Sequence, residues 1–276
     1  MGLLGSSTFR KDKAFLKNPI SLHYIVPIIV SVLLVAVFCL PDNLKEQYAL
    51  RGDLEYAHSH CITLISSHYI HMDIPHLAGN LPVFLFFINI PAILFLRLLD
   101  LQTKAEKDKL IKRTYIVHLV NLLLLPPIIS ECVLRYPFFA YSYGFSGIVN
   151  AYLGYLYALF LATRPVFLNL KARTRCILLL SVLGISLCPT PWVGGSLVLL
   201  ICAILLFLDV RKTKKQREEL LITIVVVLIV YFLIEMGIPL RIIYESVNIN
   251  IGAHYLGLLF GSLINAFIIC LSIHKK

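Results

Sequence analysis

Gly144-Phe145-Ser146-Gly147 lies at the start of the apolar run 143–163, and Gly252-Ala253-His254 at the start of a second, 251–272. Crossing the hydrocarbon of a bilayer takes ~20 apolar residues, so each run is long enough to be a membrane helix. A hydroxyl and an imidazole thus stand at the starts of two such helices. Together they are the minimum equipment for nucleophilic acyl transfer. Further apolar runs lie at 20–40, 76–96, 115–134 and 221–240, and the apolar stretch 176–210 is interrupted by Pro189-Thr190-Pro191.

Composition agrees with this reading. The chain is 59% hydrophobic and 14% charged, with mean hydropathy +0.85, far from the balance of a soluble domain. The expected fold is an all-α polytopic membrane protein: one domain, 1–276, with about eight transmembrane segments, or six plus a re-entrant hairpin at 176–210. A short basic segment, 1–19, precedes the first crossing, and 41–75 forms an external loop. The N-terminal run lacks a small-residue cleavage site and is read as a retained helix.

The net charge of +10 is a topology signal rather than a nucleic-acid footprint. Lys and Arg gather in five clusters, 10–17, 97–113, 164–175, 211–217 and 275–276, which hold 21 of the 25 basic residues. Only Lys45, Arg51, Arg135 and Arg241 lie elsewhere. Eight crossings with both termini cytoplasmic bring all five clusters to the cytoplasmic side, as the positive-inside rule requires. The expected partners are the lipid bilayer and other membrane proteins, with no nucleic acid. The seven cysteines form no Cys-x-x-Cys pair and read as buried thiols.

The same topology aligns the chemistry. Parity brings His76, Asn80, Ser146 and His254 to a similar outer depth, with Ser146 about one turn into its helix and His254 in the first turn of the last. Gly147, Ala151, Gly154 and Ala158 make a small-residue stripe on the serine helix, and Ala253, Gly257 and Gly261 make one on the histidine helix. Lipid supplies no hydrophobic drive between helices, so such stripes serve close van der Waals approach. If they pack on each other, hydroxyl and imidazole come within hydrogen-bond reach. His76 and Asn80, four apart, share a helix face and are both able to donate to an oxyanion. The bland alternative for that pair is a polar clamp on the external loop.

In order and membrane depth these residues resemble the rhomboid family of intramembrane serine proteases. The resemblance is carried by His71 with His76-x-x-x-Asn80, by Gly144-x-Ser146-Gly147 and by Ala253-His254-x-x-Gly257-x-x-x-Gly261, and spans 68–261. It implies a Ser-His dyad with Ser146 as nucleophile and His254 as general base, then acid. The implied oxyanion donors are His76, Asn80 and the Ser146 N–H, with His71 in a supporting role. The implied substrate is another transmembrane helix, in a single-pass or polytopic protein, cut near its outer end. No metal or organic cofactor is implied. The chain departs from the family at Asn150, where many members carry an aromatic residue that stacks on the histidine. It also lacks the Trp-Arg pair of the first external loop, since the only tryptophan is Trp192; Arg51 is a weak substitute. The 107 residues between Ser146 and His254 exceed a six-helix core, which the 176–210 hairpin explains.

Other classes compete. A catalytically silent rhomboid-like binding or escort factor shares the fold. A transporter would use Glu131, Glu235 and the broken 176–210 segment, but no two-fold repeat is visible. His58, His60, His68, His71 and His76 invite a zinc reading, yet His-Glu-x-x-His is absent. Gly257-x-x-x-Gly261 is used more economically inside one chain than in a dimer, and the oligomeric state stays open.

Overall fold

The structure, a computed structural model, describes residues 19–100, 104–135, 141–142, 144–162, 218 and 251–270. These residues are mostly helical. Helix α1 is Pro19–Phe38, α2 Asp42–Tyr48, α3 Leu54–Ser59 and α4 Thr63–Ser66, which leads into a 3-10 turn, Ser67–Tyr69. Helix α5 is Ile74–Asp100. Helix α6, Lys104–Leu119, passes through a π-helical turn, Val120–Leu124, into α7, Leu125–Leu134. Helix α8 is Ser146–Ala162 and α9 is Ile251–Cys270. Two short strands, β1 (Leu50–Arg51) and β2 (Tyr141–Ser142), pair antiparallel with Leu50 opposite Ser142.

The all-α class holds, but the count of about eight crossings does not follow from these residues. Among the described residues one continuous stretch, Asp108–Leu134, is long and apolar enough to cross a bilayer. The apolar parts Ile74–Asn89 and Leu256–Ile269 are shorter, and Ile25–Phe38 reaches the required length only together with Asp42–Tyr48, across a 118° bend. Between Phe38 and Asp42 the chain bends at Pro41. The hairpin at 176–210, the run 221–240 and the basic segment up to residue 18 lie outside the described residues. Residues 41–75, expected as an external loop, form a folded module of short helices. Lys45 turns back to Asp42 at 2.7 Å and to the Phe38 carbonyl at 3.4 Å, capping the end of α1 with a cation as the helix dipole favours. Asp53 caps α3 through the amides of Glu55 and Tyr56.

Helix α8 is the centre of the assembly. Ile148, Tyr152, Leu153, Tyr155, Tyr157 and Leu159 are all buried, so the helix is packed on most sides along this stretch. On one side Phe84 of α5 meets Tyr152 edge-on, with centroids 5.4 Å apart. On the other side lies α9, and here the two small-residue stripes meet. A Cβ on Gly257 would run into the backbone of Gly147, and one on Gly261 would stand 2.6 Å from Ala151 Cα. From the opposite face, a Cβ on Gly154 would sit 2.7 Å from Gly261 C and 2.8 Å from Leu258 O. Only glycine fits at these positions, because the obstructing atoms are backbone. At its far end α9 is tied to α6, where Arg113 Nη1 donates to the Ile268 carbonyl at 2.9 Å. By contrast α1 buries Val30 and Leu34 while exposing Ile28, Ile29, Val32, Leu33 and Val35.

Candidate functional site

The site forms where the loop module, the start of α5, the start of α8 and the start of α9 converge. Asp73 caps α5: its Oδ1 accepts the His76 amide at 2.7 Å, and its carbonyl accepts that of Leu77. This fixes the first turn from which His76 and Asn80 project. Gly144, with φ +114°, makes the sharp entry into α8, a conformation that excludes most side chains. A Cβ there would also strike the His76 ring, 2.6 Å from Nε2, so the imidazole lies directly on the glycine. The Gly144 amide donates to the Ser67 carbonyl at 2.9 Å, binding this corner to the 3-10 turn.

His71 sits at the middle of a polar knot. Asn80 Nδ2 donates to its Nε2 at 3.0 Å, and the Phe145 amide points to the same nitrogen at 3.5 Å. Two donors on Nε2 require that nitrogen to carry the lone pair and Nδ1 the proton. Burial pushes His71 down to about 4, with the neighbouring His76 adding to the shift and the Tyr69 carbonyl opposing it. The His71 and His76 rings meet edge to face, 4.9 Å apart. His71, named as a supporting residue, is thus the acceptor that orients Asn80.

Ser146 is the first residue of α8, not one turn in, because Phe145 already accepts the first helical bond from Val149. The amides that open a helix have no intrahelical acceptor and lie at the positive end of the dipole. The Ser146 N–H is therefore available to an anion. Phe145 anchors the turn: fully buried, it lies edge-on to Phe84 at 4.9 Å and 5.5 Å from the Tyr69 ring. Gly147 faces α9, where a Cβ would sit 3.3 Å from the Ala253 carbonyl. Ser146 precedes Gly147, and His254 follows Ala253, in the first turn of α9. The two candidate catalytic residues stand on either side of one backbone contact, each only partly buried. Asn150 turns back on its own helix, donating to the Ser146 carbonyl at 2.9 Å.

One residue here has no role in the sequence reading. His68, buried, packs its ring on Gly147, with Cε1 3.4 Å from where a Cβ would stand. Its Nε2 lies 3.0 Å from Ser130 Oγ, whose own proton goes to the Leu64 carbonyl at 2.9 Å. The imidazole must therefore donate, which sets its proton on Nε2. Burial lowers His68 to about 4, only partly offset by the Pro126 carbonyl. The only sequence signal is the run of histidines, which points toward metal; among the described residues no group of His, Cys, Asp or Glu is placed to hold one.

Two neutral buried imidazoles make stability depend on pH. Both have folded values near 4 against 6.5 for a free imidazole, so the unfolded chain binds more protons between those limits. Their contribution is complete above pH 6.5 and is lost as pH falls toward 4. Thermal melts in detergent at pH 7.5, 6 and 5 are expected to show a falling midpoint. The slope should flatten in His68→Gln, whose amide keeps a donor for Ser130.

Compared with known proteins, the chain matches no family model, no curated protein and no solved structure.

Proposed function

We propose that this chain is a rhomboid-like intramembrane serine endopeptidase that cleaves transmembrane helices near their outer end. The observation that carries this reading is the interlock of Gly147 with Ala253 and Gly257, which brings the starts of the serine and histidine helices together beside the His71–Asn80 pair. Ser146 Oγ attacks the scissile carbonyl while His254 takes its proton. The negative charge on the former carbonyl oxygen is met by the Ser146 N–H, His76 and Asn80. Collapse breaks the C–N bond, and His254 hands its proton to the leaving amine. Water then attacks the acyl-enzyme with His254 again as base, releasing the acid and restoring Ser146.

The membrane setting belongs to the same proposal. A helix that exposes Ile28, Ile29 and Val32 while burying its opposite face suits lipid rather than water. Eight crossings, or six with a hairpin at 176–210, would put both termini in the cytoplasm and the site toward the outer face. A substrate helix hides its carbonyls in its own hydrogen bonds, so it must unwind locally before attack. Small or helix-breaking residues near the cut are therefore expected.

The test is reconstitution of the purified chain in liposomes with a tagged single-pass substrate, beside labelling with a fluorophosphonate probe. Cleavage near the outer end of the substrate, together with a probe adduct mapped to Ser146, supports the protease. An adduct elsewhere, or neither cleavage nor adduct, would leave the silent binding relative as the better reading. Within the protease reading, Asn80→Ala and His76→Ala are each expected to lower kcat by ~100–1000-fold, the usual cost of one oxyanion donor. KM should change little, because the interaction is made only in the transition state.

A further inference from the structure

Asn121 and Asn265 are both fully buried, and Asn265 Nδ2 donates to Asn121 Oδ1 over 3.0 Å. The first stands in the π-helical turn between α6 and α7, the second on α9. A π turn inserts one residue into a helix and so rotates the succeeding turns by about 100° relative to an unbroken helix. The distortion is tied down from the loop module, where the Tyr69 hydroxyl donates to the Leu122 carbonyl.

One hydrogen bond uses only half of each amide. Asn121 Nδ2 and Asn265 Oδ1 are buried and take no hydrogen bond among the described residues. Ser262, one turn earlier on α9, is likewise buried with its hydroxyl unbonded among them. The neighbours of the two asparagines along their own helices, Val120, Leu125 and Ile129 on one and Phe260, Ile264 and Ile268 on the other, belong to one apolar cluster. Exchanging O and N in both amides reverses the bond but leaves the same one donor and one acceptor over. A donor and an acceptor left together call for a molecule that is both. Buried polar groups of this kind are costly unless satisfied, and a buried water typically makes about three hydrogen bonds. A metal ion is disfavoured, since among the described residues no group of His, Cys, Asp or Glu is placed to hold one and one amide offers protons.

We propose that the π turn and α9 hold a structural water between Asn121 and Asn265, forming a hydrated polar lock that fixes the rotation and depth of α9. The water accepts from Asn121 Nδ2, donates to Asn265 Oδ1, and has a third bond for Ser262. Asn265 lies three turns beyond His254 on α9, so the lock sets where that histidine sits. The water site rests on no reading of the chemistry at Ser146 and stands or falls separately.

The experiment is nuclear magnetic resonance of the full chain in micelles with 15N-labelled asparagine. The wild type is expected to show a slowly exchanging side-chain amide with a cross-relaxation peak to long-lived water. That signal should vanish in Asn121→Leu/Asn265→Leu, which leaves neither amide unpaired. Asn121→Gln assigns the signal should the double variant fail to fold. An Asn121 amide that exchanges as fast as that of exposed Asn43, or that shows protein cross-peaks and none to water, would overturn the proposal.

Discussion

Alanine at Ser146 or at His254 is expected to lower cleavage by ~10,000- to 1,000,000-fold, with the melting temperature of the protein unchanged. Ser146 opens α8 and is only partly buried, and the first helical bond is accepted by Phe145, so no helix cap is lost. His254 lies partly buried in the first turn of α9. The proposed reaction needs both at once: without the base the hydroxyl is a poor nucleophile, and without the hydroxyl the base has nothing to activate. Effects of residues that act as a unit are not additive. The double variant is therefore expected to be no worse than either single one. Turnover and fluorophosphonate labelling should fall together in all three. Two losses that multiply would show that Ser146 and His254 act separately, and a lowered melting temperature would move the cause from chemistry to folding.

Gly257→Val is expected to have the largest effect on stability. Its Cβ would enter the backbone of Gly147, one residue from Ser146, and a backbone cannot swing aside as a side chain can. Overpacking typically costs about 1–3 kcal/mol, and obstruction by backbone on both sides of a helix contact belongs at or above the top of that range. The expected result is separation of α8 from α9, seen as a melting temperature lowered by several degrees and loss of cleavage. Gly79→Ala is the control. Nothing lies within 4 Å of a Cβ there, and removing a glycine from a helix interior gains ~0.5–1 kcal/mol. A melt of Gly257→Val that matches wild type would mean the two helices are not held at the observed distance.

The contrast between those glycines shows what kind of information the sequence holds. Gly257 and Gly261 are legible because they recur at helical spacing opposite a second small stripe, and close approach requires small residues on both helices. The cap at Asp73 is equally local, an acidic residue just before Ile74-Pro75 at a helix start. His68 is harder. Nothing in Ser67-His68-Tyr69 says that this imidazole rests on Gly147, 79 residues later, rather than facing water or a metal. The start of α8 differs by a turn from its expected place because hydropathy marks where a chain becomes apolar, while the helix begins where Gly144 turns it.

The sequence by itself determined the helical class of the described residues, the small-residue faces of α8 and α9, and the candidate residues Ser146 and His254. Each depends on spacing within a few turns of one helix. Tertiary structure decided which tautomers His68 and His71 take, that the His76 ring lies against Gly144, and that Asn121 meets Asn265. These depend on which helix faces meet, at what rotation and depth. A single π turn or a 118° bend resets that relation without altering the local pattern of apolar residues.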